Sequence, residues 1–131
     1  MKRRGILNPD LSCLIATLGH TDLICIADAG LPIPSEVTRI DLALRCGIPP
    51  FVEVVKAILD EVVVEGAVVA GEMPGRNRAC YDALRALLGQ TPLEQVPHEQ
   101  LKAMLPMVRG VIRTGECTPY ANVLLRSGVA F

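Results

Sequence analysis

Imidazole takes up and releases protons near neutral pH, with an unperturbed pKa of about 6.5. His20 is therefore the side chain best suited to acid/base work, standing in Gly19-His20-Thr21-Asp22 just before an apolar run. A second reading stays open, because a histidine at a helix C-terminus also interacts well with the helix dipole. Asp22 could orient the imidazole or cap the next turn. Asp28 ends the apolar run and precedes Ala29-Gly30. There it could accept a hydrogen bond from a sugar hydroxyl, or simply start an Asx-turn. The segment Thr114-Gly115-Glu116-Cys117-Thr118-Pro119-Tyr120-Ala121-Asn122 gathers five kinds of polar side chain in one loop. Tyr120 and Asn122 alternate, so an extended segment would point both to one face. Together they offer a hydroxyl and an amide with both donor and acceptor. Equally, Tyr120 could pack at a sheet edge while Asn122 turns the chain. His98 follows Val96-Pro97 and opens a short helical stretch, where a surface role is the plainer reading. Cys117 would need a nearby base to act as a nucleophile, and neither histidine is close in sequence, so it is expected to be structural.

The elements that must hold these residues read as an α/β pattern. Asp10 is expected to cap a helix over Leu11–Leu18 that Gly19 ends. Leu23–Ala27 reads as a buried strand and Asp28–Pro34 as a loop, since two prolines and a glycine oppose regular structure. A helix is expected over Phe51–Glu61 after Pro49-Pro50, a β-branched central strand over Val62–Ala70, and an amphipathic helix over Asn77–Leu88 closed by Gly89. Leu93–Val96 reads as a short strand and His98–Met104 as a short helix. Val108–Arg113 and Ala121–Arg126 read as the last strands, and Val129–Phe131 ends the chain in β-like residues. The expected fold is one α/β domain over residues 1–131, a central sheet with helices on its faces. Strand order does not follow from the pattern.

Composition narrows the function. The 131 residues are 50% apolar with a formal net charge of −1, which suits one domain with a real core and opposes disorder. No basic excess is present to release counterions from phosphates, which argues against nucleic acid. With no Trp, two Tyr and two Phe, a stacking platform for bases or long glycans is not expected. The basic start Met1-Lys2-Arg3-Arg4 runs into Asn8-Pro9-Asp10 before any signal-type apolar stretch, and no apolar run nears the roughly 18 residues of a membrane span. A cytoplasmic protein is expected. The five cysteines are Cys13, Cys25, Cys46, Cys80 and Cys117, with no C-x-x-C and no metal spacing to either histidine. They are expected to be buried, reduced thiols, with neither disulfide nor structural zinc. No G-x-G-x-x-G or Walker loop points to a nucleotide.

Longer stretches resemble the ribose pyranase family, which is related to the fucose mutarotases. They are Leu18-Gly19-His20-Thr21-Asp22, Asp28-Ala29-Gly30-Leu31-Pro32-Ile33-Pro34, Thr38-Arg39-Ile40-Asp41-Leu42-Ala43-Leu44, Pro97-His98-Glu99-Gln100-Leu101 and Val111 to Leu125. Gly128-Val129-Ala130-Phe131 also fits, so the likeness covers the chain from about Gly5 to its end. Fucose mutarotases typically carry an Ala-His-Phe-Pro pattern where this chain has Ala29-Gly30-Leu31-Pro32, and they also differ before Tyr120. The chain follows the ribose type at both places. It departs from relatives at Met73-Pro74-Gly75, outside the motifs, where they usually carry a charged helix start.

The resemblance implies an isomerase that interconverts the pyranose and furanose forms of D-ribose. It implies His20 as general acid, with Asp28, His98, Tyr120 and Asn122 binding the sugar, and no metal or organic cofactor. It implies pentameric rings stacked into a homodecamer, with sites at subunit boundaries. Both half-reactions are proton transfers without redox change, so one histidine and a few hydroxyl-binding groups suffice. The alternatives are a mutarotase of fucose or another sugar, and a sugar-binding protein without catalysis. Glu116 is left without a role, able to hold the loop or a neighbouring subunit.

Overall fold

The computed structural model describes residues 1–131. Chain order is α1 (Pro9–Ala16), β1 (Leu23–Ala27), β2 (Arg39–Asp41), α2 (Phe51–Leu59), β3 (Val64–Ala70), α3 (Met73–Arg76), α4 (Arg78–Leu88), β4 (Leu93–Val96), α5 (His98–Met104), β5 (Val111–Arg113) and β6 (Val123–Ser127). The strands form one six-stranded sheet in the order β2-β5-β1-β6-β3-β4. Pairing is parallel except at β6, which runs antiparallel to both β1 and β3. No helix is long and apolar enough to cross a membrane.

Alternation along the strands explains the layering. Ile24, Ile26, Ala67, Val69, Ile112, Val123 and Leu125 face one side, where Leu11 and Leu14 of α1, Phe51, Val55 and Ile58 of α2, and Leu84 and Leu88 of α4 cover them. Cys25, Ala27, Val68, Ala70, Val111 and Leu124 face the other, under Leu31, Leu101, Leu105 and Val108. The sheet is thus buried on both faces, which is why its inner strands read as continuous apolar runs.

The expected α/β domain is the one observed, with local corrections. Helix α1 begins at Pro9, and Asn8 rather than Asp10 caps it: Asn8 Oδ1 accepts the Leu11 N–H at 2.9 Å. Proline at the first helical position suits this start, since its missing N–H has no helical partner anyway. Strand β2 was not expected, because only Ile40 of its three residues is buried and the pattern is too short to read. Helix α3 forms at Met73–Arg76, where a local departure was expected. The strand expected over Val108–Arg113 shrinks to β5, since Leu105–Met107 make a 3₁₀ turn before it. The last four residues pair with no strand.

Candidate functional site

The direction of each strand decides which residues meet. The C-terminal ends of β1, β2, β3, β4 and β5 lie at one rim of the sheet, together with the N-terminal end of β6. Asp28 follows β1, Glu72 follows β3, His98 follows β4, and the segment 114–122 crosses from β5 to β6. Ligand sites of open α/β sheets form at such strand ends.

Asp28 and Asn122 lock together there. The Asp28 N–H donates to Asn122 Oδ1 at 2.9 Å, and Asn122 Nδ2 donates to Asp28 Oδ2 at 2.9 Å. Asn122 is fully buried, so its amide is held at one orientation. The other Asp28 oxygen accepts the Gly30 N–H at 2.9 Å, which is the Asx-turn geometry. The Asx-turn reading of Asp28 is thus the observed one, and the turn fixes the carboxylate beside an open recess. That recess is about 460 Å³ and is lined by Asp28, Gly30, Glu116, Cys117, Thr118 and Pro119.

Tyr120 reaches the rim by a route the alternation argument missed. Its backbone is left-handed, φ 58°, and the Asn122 N–H donates to the Tyr120 carbonyl at 2.8 Å. The segment turns here instead of extending. A non-glycine residue in that region is sparsely populated and is tolerated where its surroundings hold it. The Tyr120 ring meets His98 edge-on, with ring centroids 5.0 Å apart. The His98 N–H donates to both carboxylate oxygens of Glu72, at 3.1 and 3.2 Å, which pins the start of α5. His98 Nδ1 is buried and has no hydrogen-bond partner. A buried polar atom without a partner is costly, and here it belongs to the ring that meets Tyr120.

Glu116 receives its role from the structure. Its Oε2 accepts the Phe51 N–H at 3.1 Å at the start of α2, and its Oε1 accepts the Thr118 hydroxyl at 2.9 Å. A carboxylate is favourable at a helix N-terminus. Buried Thr114 donates its hydroxyl to the Ala27 carbonyl at 2.8 Å and fastens the loop to the end of β1. Gly115 is confined: a Cβ there would fall on the backbone of Ile48 and Arg45. Against the expectation of unpaired thiols, the Cys117 and Cys46 sulfurs are in contact. Their Cα atoms are 5.7 Å apart, although 71 residues separate them in sequence. Spacing along the chain carried no sign of this pairing. Cys13, Cys25 and Cys80 are free, and of these Cys13 is exposed rather than buried. Burial pushes the Cys80 thiol up to about 11.

His20 lies at the opposite rim, where β1 and β3 begin and β6 ends. At about 3.3 Å per residue, β1 alone sets some 13 Å between it and Asp28. The structure thus brings together Asp28, His98, Tyr120 and Asn122 and leaves His20 apart within one chain. The His20 imidazole is 55% exposed, and its Nε2 lies 2.9 Å from Glu65 Oε2. Beside it is an open recess of about 500 Å³ lined largely by apolar side chains, among them Leu18, Val63, Val129 and Phe131. Asp22 does not orient the imidazole. Its Oδ2 accepts the Gly19 N–H at 2.9 Å, and its Oδ1 accepts from Arg109 Nε at 2.9 Å.

The Gly19 N–H and the Arg109 guanidinium hold the Asp22 carboxyl below its usual range. Because the native value is depressed, the unfolded chain takes up this proton first. The stability from Asp22 is full above the unfolded value, about 3.9, and is lost as pH falls through the lower native value. Thermal unfolding between pH 6 and 3 should therefore show a smaller acid loss in Asp22→Asn than in wild type. An unchanged acid loss would remove Asp22 as its source.

No group of three or more His, Cys, Asp or Glu side chains is placed to hold a metal ion. The family model described as RbsD / FucU transport protein family matches residues 1–130. A D-ribose pyranase of Geobacillus kaustophilus is 55% identical over 131 residues, covering 100% of this chain and 96% of the relative. The solved structure of Bacillus subtilis RbsD complexed with D-ribose superposes with a TM-score of 0.97 at 44% identity, covering 100% of both chains. A Streptococcus pneumoniae fucose mutarotase solved with L-fucose has a TM-score of 0.82 at 22% identity, covering 95% of each chain, and shares the fold. The chain belongs to the RbsD / FucU transport protein family.

Proposed function

We propose that the protein is an isomerase that interconverts the pyranose and furanose ring forms of D-ribose. The observation that carries this reading is the hydrogen-bonded pair of half-buried Asp28 and buried Asn122 beside an open recess, with His98 and Tyr120 at the same rim, in a chain 55% identical to a D-ribose pyranase. Asp28 accepts from sugar hydroxyls, Asn122 holds that carboxylate and reads a hydroxyl of its own, and Tyr120 lies against the ring. His98 offers its unpartnered Nδ1 to the sugar.

His20 is the general acid. As imidazolium it protonates the ring oxygen while the bond from that oxygen to the anomeric carbon breaks, the pair staying on oxygen. The anomeric hydroxyl loses its proton to water as the aldehyde forms. Reclosure through a different hydroxyl runs the same transfers backwards, and the imidazole recovers its proton. No cofactor enters either step.

His20 stands at the far rim from the sugar-binding groups, which supports a site shared between copies of the chain. We take the assembly to be a homodecamer of two stacked pentamers, with His20 of one copy completing the site of its neighbour. The apolar recess around His20 is then covered by that neighbour. The place of action is taken to be the cytoplasm, where a consumer of a single ring form would draw on the product. The test is NMR saturation transfer between the pyranose and furanose signals of D-ribose, with L-fucose in parallel. Faster ribose exchange is the expected result. Ribose binding without acceleration, or acceleration of fucose in preference to ribose, would overturn the reading.

A further inference from the structure

Glu65 interrupts the regularity of β3. Val64 pairs with Ser127 and Gly66 with Arg126, so Glu65 is the extra residue of a β-bulge. Such bulges re-aim a side chain and are over-represented beside active sites. Here the carboxylate turns to His20, with Oε2 2.9 Å from Nε2 across 45 residues of sequence. The far end of the pair is fixed as tightly. Thr21, beside the histidine, has φ 68°, a left-handed conformation that β-branched residues rarely adopt. The Thr21 N–H donates to the Ser127 carbonyl at 2.9 Å, and the Ser127 N–H donates to the Asp22 carbonyl at 2.8 Å. Gly128 leaves the room, since a Cβ there would stand 3.4 Å from Glu65 Cβ and 3.1 Å from Val63 Cγ1.

We propose that Glu65 is the positioning residue of His20, so that its carboxylate holds the proton on Nε2 and leaves Nδ1 to exchange a proton with the sugar. This rests on His20 being the acid/base group. An ionised carboxylate only accepts, so the nitrogen facing it must carry hydrogen. The neutral ring then has one tautomer, with the lone pair on Nδ1. In ring opening, the imidazolium passes its Nδ1 proton to the ring oxygen and keeps the one on Nε2. In closure, Nδ1 takes the proton of the attacking hydroxyl. Glu65 gains and loses nothing in either step. It prevents the ring from turning and from storing its proton on the wrong nitrogen.

An exposed ion pair with no such duty would contribute little and its loss would go unnoticed. The experiment compares wild type, Glu65→Leu, Glu65→Gln and His20→Ala in the ribose exchange assay, with ribose affinity measured separately. Glu65→Leu should lower the maximal exchange rate roughly ten-fold, part of the about 10²–10⁴-fold a positioned proton donor contributes. Ribose affinity should hold. Glu65→Gln should restore most of the rate, because its amide oxygen still accepts the Nε2 proton. Imidazole ¹⁵N shifts of His20 in the wild-type protein should show hydrogen on Nε2, and a mixture of tautomers in Glu65→Leu. A wild-type rate in Glu65→Leu, or hydrogen on Nδ1 of neutral His20 in the unmodified protein, would overturn the proposal. His20→Ala separates the two levels. If it keeps its rate, the role of His20 has failed, and if it alone loses its rate, only that of Glu65 has.

Discussion

Replacing His20 by alanine should slow exchange between ribose ring forms by about 10²–10⁴-fold while ribose still binds, because the groups proposed to hold the sugar are elsewhere. The loss is that of the proposed proton donor and acceptor, and no other histidine stands on that rim. Binding should survive because Asp28 and Asn122 keep their mutual bonds at the far end of β1. The measurement is saturation transfer for the rate and calorimetry for ribose affinity. The separation of the rims adds a sharper test. His20→Ala subunits and Asn122→Ala subunits, each impaired alone at sub-saturating ribose, should recover part of the rate when unfolded and reassembled together. In a shared site, each mixed boundary with an intact His20 and an intact Asn122 works. If mixtures run no faster than the average of the two variants, the site is not shared between copies. If His20→Ala runs at the wild-type rate, the histidine is not the acid.

The second large effect is expected at Asn122. Its side chain is fully buried and satisfies both the Asp28 N–H and one Asp28 oxygen. Asn122→Ala leaves those half-buried groups without their protein partners. Orphaning a buried donor or acceptor costs about 1–3 kcal/mol, and more for a charged group. Thermal unfolding should show that loss. Ribose affinity should fall at least about ten-fold, since 1.4 kcal/mol of lost interaction already gives that factor. Asn122→Asp keeps the size but sets a second carboxylate 2.9 Å from the first, so it should be worse than Asn122→Ala at pH 7 and recover towards acid pH. Equal ribose affinity in wild type and Asn122→Ala would remove Asn122 from the binding site.

Much of this was readable from local pattern. Leu23–Ala27 is apolar at every position because the strand is covered on both faces, and its bounds came out as observed. Leu93–Val96 and His98–Met104 did too, being framed by Pro92, Pro97 and Pro106. Arg39–Asp41 was invisible because a three-residue strand with one inward side chain has no period to detect. Residue types singled out His20, Asp28, His98, Tyr120 and Asn122, and family likeness raised them together. Their separation into two rims depends on β6 running between β1 and β3, pairings over about a hundred and about sixty residues that no window of sequence contains. Glu65 was missed for the same reason. It reads as one polar residue in an apolar strand, and only the bulge gives it a direction.

The position of β6 also bears on how the chain is made. It is the last of the six strands in chain order, yet it is the only strand that joins β2-β5-β1 on one side to β3-β4 on the other. Without it the sheet is two short parallel pieces with no strand between them, each with an unpaired inner edge. Strand β1, made early, must wait for β5 and β6 to complete its pairing. Contacts so distant in sequence are slow to form. Pairing at the centre of the sheet therefore waits for β6, and until then apolar β1 and β3 are the segments most in need of protection from other chains.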